Sequence, residues 1–211
     1  APGYNFVSPS AQDDFIPVYT DHIIGEVKKI VDFIPHHRLS IQWDVCQEVL
    51  MWEDYYDYDR PGHKEEIFSV LAQIGDGVPA GVELGYHLCY GSPRDEHLVQ
   101  PKDSANMVEM IHGIAAAVNR TIEFFHIPVP KERDDSGYFA PLAELKLPKE
   151  TDLYIGCVHH NDESGDRRRL SAAQEYVHVD GIGSECGWGR ADPERVPSLL
   201  TSHAQLLAKF G

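Results

Sequence analysis

Five short apolar runs alternate with amphipathic segments along this chain, and that rhythm limits the possible folds more than any other feature. The runs are LSIQWDV (39–45), VELGYHLC (82–89), TIEFFHIPV (121–129), DLYIGCVHH (152–160) and VDGIGSECG (179–187). Before the first, TDHIIGEVKKIVDFIP spaces Ile23, Ile24, Val27, Ile30, Val31 and Ile34 as the inner side of a helix that Pro35 stops. Helical spacing returns in KEEIFSVLAQIG, and again after Asp103, which caps a segment carrying Met107, Met110, Ile111, Ile114 and Val118 on one side. A short helix is expected near 139–146, another from Arg167 to Tyr176, and a last one behind Asp192 and Pro193. Strands separated by helices pair in parallel, because a helical crossover returns the chain to the same end of the sheet. The expected class is therefore α/β, as a barrel or an open doubly wound sheet. No glycine-rich phosphate fingerprint follows a strand, since GDGVPAG precedes one, and this disfavours a dinucleotide site.

Charge narrows the partners. The chain holds 18 basic and 34 acidic side chains, a net charge of −16, which repels phosphate backbones and anionic membranes. A small-molecule substrate is expected, with no nucleic acid and no membrane as partner. The sequence lacks both a long apolar span and the basic-then-apolar start of a signal peptide, so a cytoplasmic setting is expected. Cys46, Cys89, Cys157 and Cys186 are too few and too scattered for a disulfide scaffold in 211 residues, which favours metal binding or burial. One domain over 1–211 is expected; the first residue is Ala rather than Met, which suggests processing or a fragment.

Chemistry collects at the C-terminal ends of the five runs, where parallel α/β folds build their sites: Asp44, then His87 and Cys89, then His126, His159 and Cys186. His87 and Cys89 are two apart, so in an extended strand both face the same way and can grip one ion. Taken alone, that pair is equally consistent with a core histidine beside a buried thiol. With Cys186, set among Gly183, Gly187 and Gly189, the pair offers the mixed sulfur and nitrogen donors that suit zinc. A fourth ligand could come from His126 or Glu123, three apart and hence on opposite faces; His126, nearer the strand end, is preferred. The loop WEDYYDYDRPGH is a candidate lid in which Trp52 or Tyr56 stacks on a flat ring, although a solvated acidic loop reads equally well. Arg190, directly after the Cys186 turn, ranks first among the anion-binding candidates, ahead of Arg94 and Arg133, while GDRRRL with Arg167 and Arg168 reads better as a helix surface.

IQWDV, YHLCYG, VHHND and ECGWGR, in this order on successive strands, resemble the C-terminal catalytic barrel of cobalamin-independent methionine synthase and its shorter relatives, within the superfamily that includes uroporphyrinogen decarboxylase. The resemblance runs from about Tyr4 to the end and implies a TIM-type (β/α)8 barrel of which only the C-terminal five strand–helix units are present. It implies zinc held by His87, Cys89 and Cys186, with His126 falling where the family has a glutamate. It further implies that Asp44 holds the substrate amino group, and that His159 protonates the departing folate as homocysteine takes the methyl group of methyltetrahydrofolate. His160 is the neighbour with which His159 could be confused. The His126 departure keeps two alternatives open: a lyase, decarboxylase or hydrolase using Asp44 and His159 as acid–base groups, or a non-catalytic metal-binding remnant. A five-stranded partial barrel has two open edges, and a homo-oligomer or a missing N-terminal segment is expected to cover them.

Overall fold

The computed structural model describes residues 6–56, 62–93 and 97–210, without the side chains of residues 190, 209 and 210. Among them, β1 (Ser40–Val45), β2 (Glu83–Leu88), β3 (Phe124–Pro128), β4 (Asp152–Val158) and β5 (Gly181–Ser184) form one sheet. Every pairing is parallel and the spatial order is the chain order, β1-β2-β3-β4-β5. Doubly wound sheets reverse direction at a switch point; this one does not, and its winding is that of a partial TIM barrel.

The helices are α1 (Pro9–Phe33), α2 (Gln47–Trp52), α3 (His63–Asp76), α4 (Ala105–Ala117), α5 (Ser136–Phe139), α6 (Glu163–Gln174) and α7 (Val196–Phe210). They cover one face of the sheet. Alternation along the strands sends Val45, Leu84, Tyr86, Leu88, Phe125, Ile127, Leu153, Ile155 and Cys157 into a continuous core with Leu71 of α3 and Met107, Met110, Ile111 and Ile114 of α4. Each large apolar side chain buried there contributes roughly 1.5–3 kcal/mol. Tyr86 reaches through the layer, and its hydroxyl donates to the Leu71 carbonyl at 2.8 Å, so its polar tip is not stranded.

The opposite face is the concave side of the partial barrel. It carries Gln42 and Asp44 from β1, His87 from β2, Phe124 and His126 from β3, and Tyr154 from β4, with Asp44, His87, His126 and Tyr154 in one register row. Phe124 and Tyr154 stack at 5.4 Å. A Cβ on Gly85 would fall 2.0 Å from the Phe124 ring, so that strand position must stay bare for the aromatic to cross.

Several element boundaries depart from the sequence expectation. Helix α1 starts eleven residues before the periodic stretch at Thr20, running through Pro17, because its first turns lie on the surface and carry no apolar stripe to announce them. Helix α2, with Val49, Leu50 and Met51 buried, follows β1 directly and ends at Trp52, the first residue of the candidate lid. Strand β5 is four residues long, so Cys186 lies beyond it in the following turn. Among the described residues, no helix is long and apolar enough to cross a membrane.

Candidate metal centre and functional site

The ends of β2 and β5 bring together His87, Cys89 and Cys186, whose donor atoms all lie within 4.8 Å of one another. Cys89 leaves β2 while still zipped to β1, its amide donating to the Val45 carbonyl at 3.1 Å. Cys186 sits in a turn shaped by Ser184, whose hydroxyl donates to the Cys186 carbonyl at 2.7 Å. The two sulfurs are 3.6 Å apart. Tetrahedral zinc with Zn–S bonds of about 2.3 Å separates two sulfurs by about 3.8 Å, so this pair is already spaced for one ion. The Cys89 thiol and then the His87 imidazole hold Cys186 below the usual thiol range, while the contact with Cys186 pushes Cys89 up. One site thus presents two sulfurs and an imidazole.

His87 is oriented by His126, their Nδ1 atoms 2.6 Å apart and their rings stacked at 4.7 Å. Burial, followed by the neighbouring His87, lowers the pKa of His126 to about 3, so it is neutral. Its Nε2 is buried without a hydrogen-bond partner. Across the Nδ1 pair one ring donates and the other accepts. The Nε2 of His87 is likewise buried without a hydrogen-bond partner. An orphaned imidazole nitrogen beside two sulfurs is what a zinc ion would satisfy, and the donor set fits that metal. Gly183 makes room for the arrangement, since a Cβ there would stand 2.8 Å from His126 Nε2. His126, expected as a ligand, lies outside the group of three donors and meets His87 instead.

Two cavities meet at Cys186. An open concavity of about 360 Å³ is lined by His87, His126, Gly183, Cys186, Phe124 and Tyr154 among others. A smaller one of about 130 Å³ joins Cys186 to His159, Glu185, Lys131 and Trp188. His159 follows the last residue of β4; its amide donates to Asp166 Oδ1 at 3.0 Å, and its Nε2 donates to the Val129 carbonyl at 2.9 Å. Burial pushes the His159 pKa down to about 4 against the opposing pull of Glu185, so the resting ring is neutral. Glu185 Oε2 lies 3.8 Å from His159 Nδ1 and 2.6 Å from His97 Nε2. Burial would raise the Glu185 pKa, but the hydrogen bond and charge of His97 outweigh it and keep the carboxylate ionised. A proton arriving at His159 Nδ1 therefore faces a carboxylate. His97 and Glu185 escaped the sequence reading; the available signal was an acid directly beside Cys186.

The remaining candidates are placed as follows. Asp44 stands in register with His87 but is exposed, its Oδ1 accepting from Gln42 Nε2 at 3.0 Å. Trp52, expected to stack on substrate, is instead a core residue of α2: it packs on Phe68 at 5.4 Å under Lys64, because the unexpected helix turns it toward the helical layer. Tyr56 donates to Gln47 at 2.8 Å, and residues 57–61 of the expected lid, like Arg94, lie outside the described residues. Arg190 ends a 3-10 turn after Cys186, and its side chain is also outside the described residues. Arg133 is paired with Asp135 at 2.7 Å. Glu123, the other candidate for the fourth ligand, precedes β3, accepts from Leu84 N at 2.6 Å and pairs with Arg120, away from the thiols. His160 bonds Ser198 at 2.7 Å.

No family model matches this chain, and no curated protein does. A crystal structure from Listeria monocytogenes, provisionally assigned as a vitamin-B12-independent methionine synthase, shares the fold with a TM-score of 0.63 at 15% identity. The alignment covers 94% of this chain and 56% of that one, so this chain spans little more than half the length of its structural neighbour.

Proposed function

We propose that the chain is a zinc-dependent methyltransferase-like protein that activates a thiol substrate, of the homocysteine type, for attack on the methyl group of a methylfolate-type donor. The observation that carries this reading is the convergence of His87, Cys89 and Cys186 at the mouth of a parallel α/β sheet, with two sulfurs 3.6 Å apart and an unpartnered imidazole nitrogen. The fold shared with the Listeria protein supports it, and the reaction rests on the site.

Zinc bound by these three residues would act as a Lewis acid that makes a coordinated thiol a thiolate near neutral pH. The chain's own groups do the rest. His126 holds His87 with Nε2 turned to serve as ligand. The 360 Å³ concavity admits the substrate beside Cys186, with Phe124 and Tyr154 as its apolar wall. Neutral His159, backed by Glu185, takes a proton at Nδ1 and returns it to the leaving group. Asp44, open to solvent in the same register row, is placed to hold a substrate ammonium group.

The test is direct: zinc-loaded protein with homocysteine and methyltetrahydrofolate should form methionine, and Cys186→Ser should abolish it. Zinc-loaded protein that makes no thioether from any methylfolate and thiol pair would reject the reaction.

A further inference from the structure

We propose that Cys46 is the fourth ligand of this centre, so that the resting site is Cys46, His87, Cys89 and Cys186; the inference rests on the metal-binding reading above. The strand register places it. Asp44 pairs with His87 and Val45 with Leu88, and the next step along the two parallel strands sets Cys46 opposite Cys89. The ladder still holds there, through the bond from Cys89 N to the Val45 carbonyl at 3.1 Å. Because side chains alternate, Cys46 shares the concave face with Asp44, as Cys89 shares it with His87.

The sulfurs agree with that register. Cys46 neighbours Cys89 across the ladder, and the Cys89 sulfur lies 3.6 Å from that of Cys186. Cys46 stands outside the group of donors lying within 4.8 Å of one another, so the assignment requires its side chain to turn toward the other two sulfurs when the ion binds.

The competing fourth ligand is already engaged: His126 Nδ1 is bonded to His87, and Glu123 is paired with Arg120. Three thiolates and a neutral imidazole close a tetrahedral shell around zinc with a net charge of −1. Cys46 differs from Cys89 in being half-buried rather than buried, at the junction between β1 and α2. With zinc bound, it would be the ligand an incoming thiol could replace, the Cys46 sulfur taking up the proton that the substrate thiol gives up, so that donor number and charge would be kept.

Cobalt(II) is the probe, since thiolate ligation gives it an absorption band whose intensity scales with the number of coordinated sulfurs. The full chain loaded with cobalt, in buffer free of small thiols, should show a three-thiolate band, and Cys46→Ser should lower it by about one third, while Cys157→Ala leaves it unchanged. A two-thiolate band in the parent that Cys46→Ser does not alter overturns the assignment and leaves the three-residue centre standing. No cobalt band in the parent overturns the centre itself. Should Cys46→Ser fail to fold, alkylation of the parent decides: zinc must protect Cys46 from maleimide as fully as it protects Cys186, and unprotected Cys46 rejects its ligation.

Discussion

His87 and His126 meet Nδ1 to Nδ1 at 2.6 Å across β2 and β3, and this contact, more than any bond to a thiol, fixes which nitrogen of His87 is left to bind. Partners that orient a metal-binding imidazole typically govern affinity without being ligands. His126→Ala should therefore weaken zinc binding by about 10–100-fold while the saturated stoichiometry stays the same. Chelator competition measures the first and elemental analysis the second; loss of stoichiometry would make His126 a ligand.

Room for His126 depends on Gly183. The Cβ of Gly183→Ala would stand 2.8 Å from His126 Nε2. Gly183→Ala should lower stability by about 1–3 kcal/mol and weaken zinc binding in parallel. Denaturant titration of the metal-free and zinc-loaded forms checks both.

Acid should destabilise the metal-free chain through His159. Its folded pKa is about 4 against 6.5 for the free side chain, so below pH 6.5 the unfolded state binds the proton and the folded state does not. The stability associated with neutral His159 is full above pH 6.5 and is lost as pH falls toward 4, at about 1.4 kcal/mol per pH unit. His159→Gln should remove that slope. Unfolding free energies at half-unit pH steps give the comparison, and identical slopes in the two proteins would contradict the burial of a neutral ring.

Arg169 anchors the far side of the His159 cavity. Fully buried, it donates to Asp166 Oδ1 at 2.5 Å, Asp162 Oδ2 at 2.9 Å and the carbonyls of Lys131 and Cys157, while the same Asp166 oxygen accepts the His159 amide. Arg169→Met leaves a buried carboxylate without its cation and should cost roughly 3–5 kcal/mol. Thermal unfolding measures it; a loss under 1 kcal/mol would mean that Asp166 finds another partner.

The legibility of this fold and site divides along physical lines. The strands were visible because each buries one apolar face, and period-two alternation survives in VELGYHLC and DLYIGCVHH. Their functional ends were visible for the same reason, which is how His87, Cys89 and Cys186 could be grouped across 97 residues of chain separation. What stayed hidden depended on contacts that no local period encodes. Trp52 turned inward because it ends α2, a helix of six residues too short to show a period, rather than opening the acidic and aromatic loop. In GDRRRL, charge alone could not tell that Arg169 is buried while Arg168 lies on the surface pairing with Asp134. Cys46 was legible only as one of four cysteines suited to metal binding or burial, because its place opposite Cys89 is a matter of register, and register is fixed by the whole ladder rather than by the strand that carries it.

Elemental analysis of the purified chain after zinc loading and exhaustive dialysis tests the shared metal centre most directly. About one zinc per parent chain is expected, falling to near zero in Cys89→Ser with the fold intact by circular dichroism. Folded parent protein that retains no zinc, or a Cys89→Ser variant that retains it fully, would contradict a centre built from His87, Cys89 and Cys186.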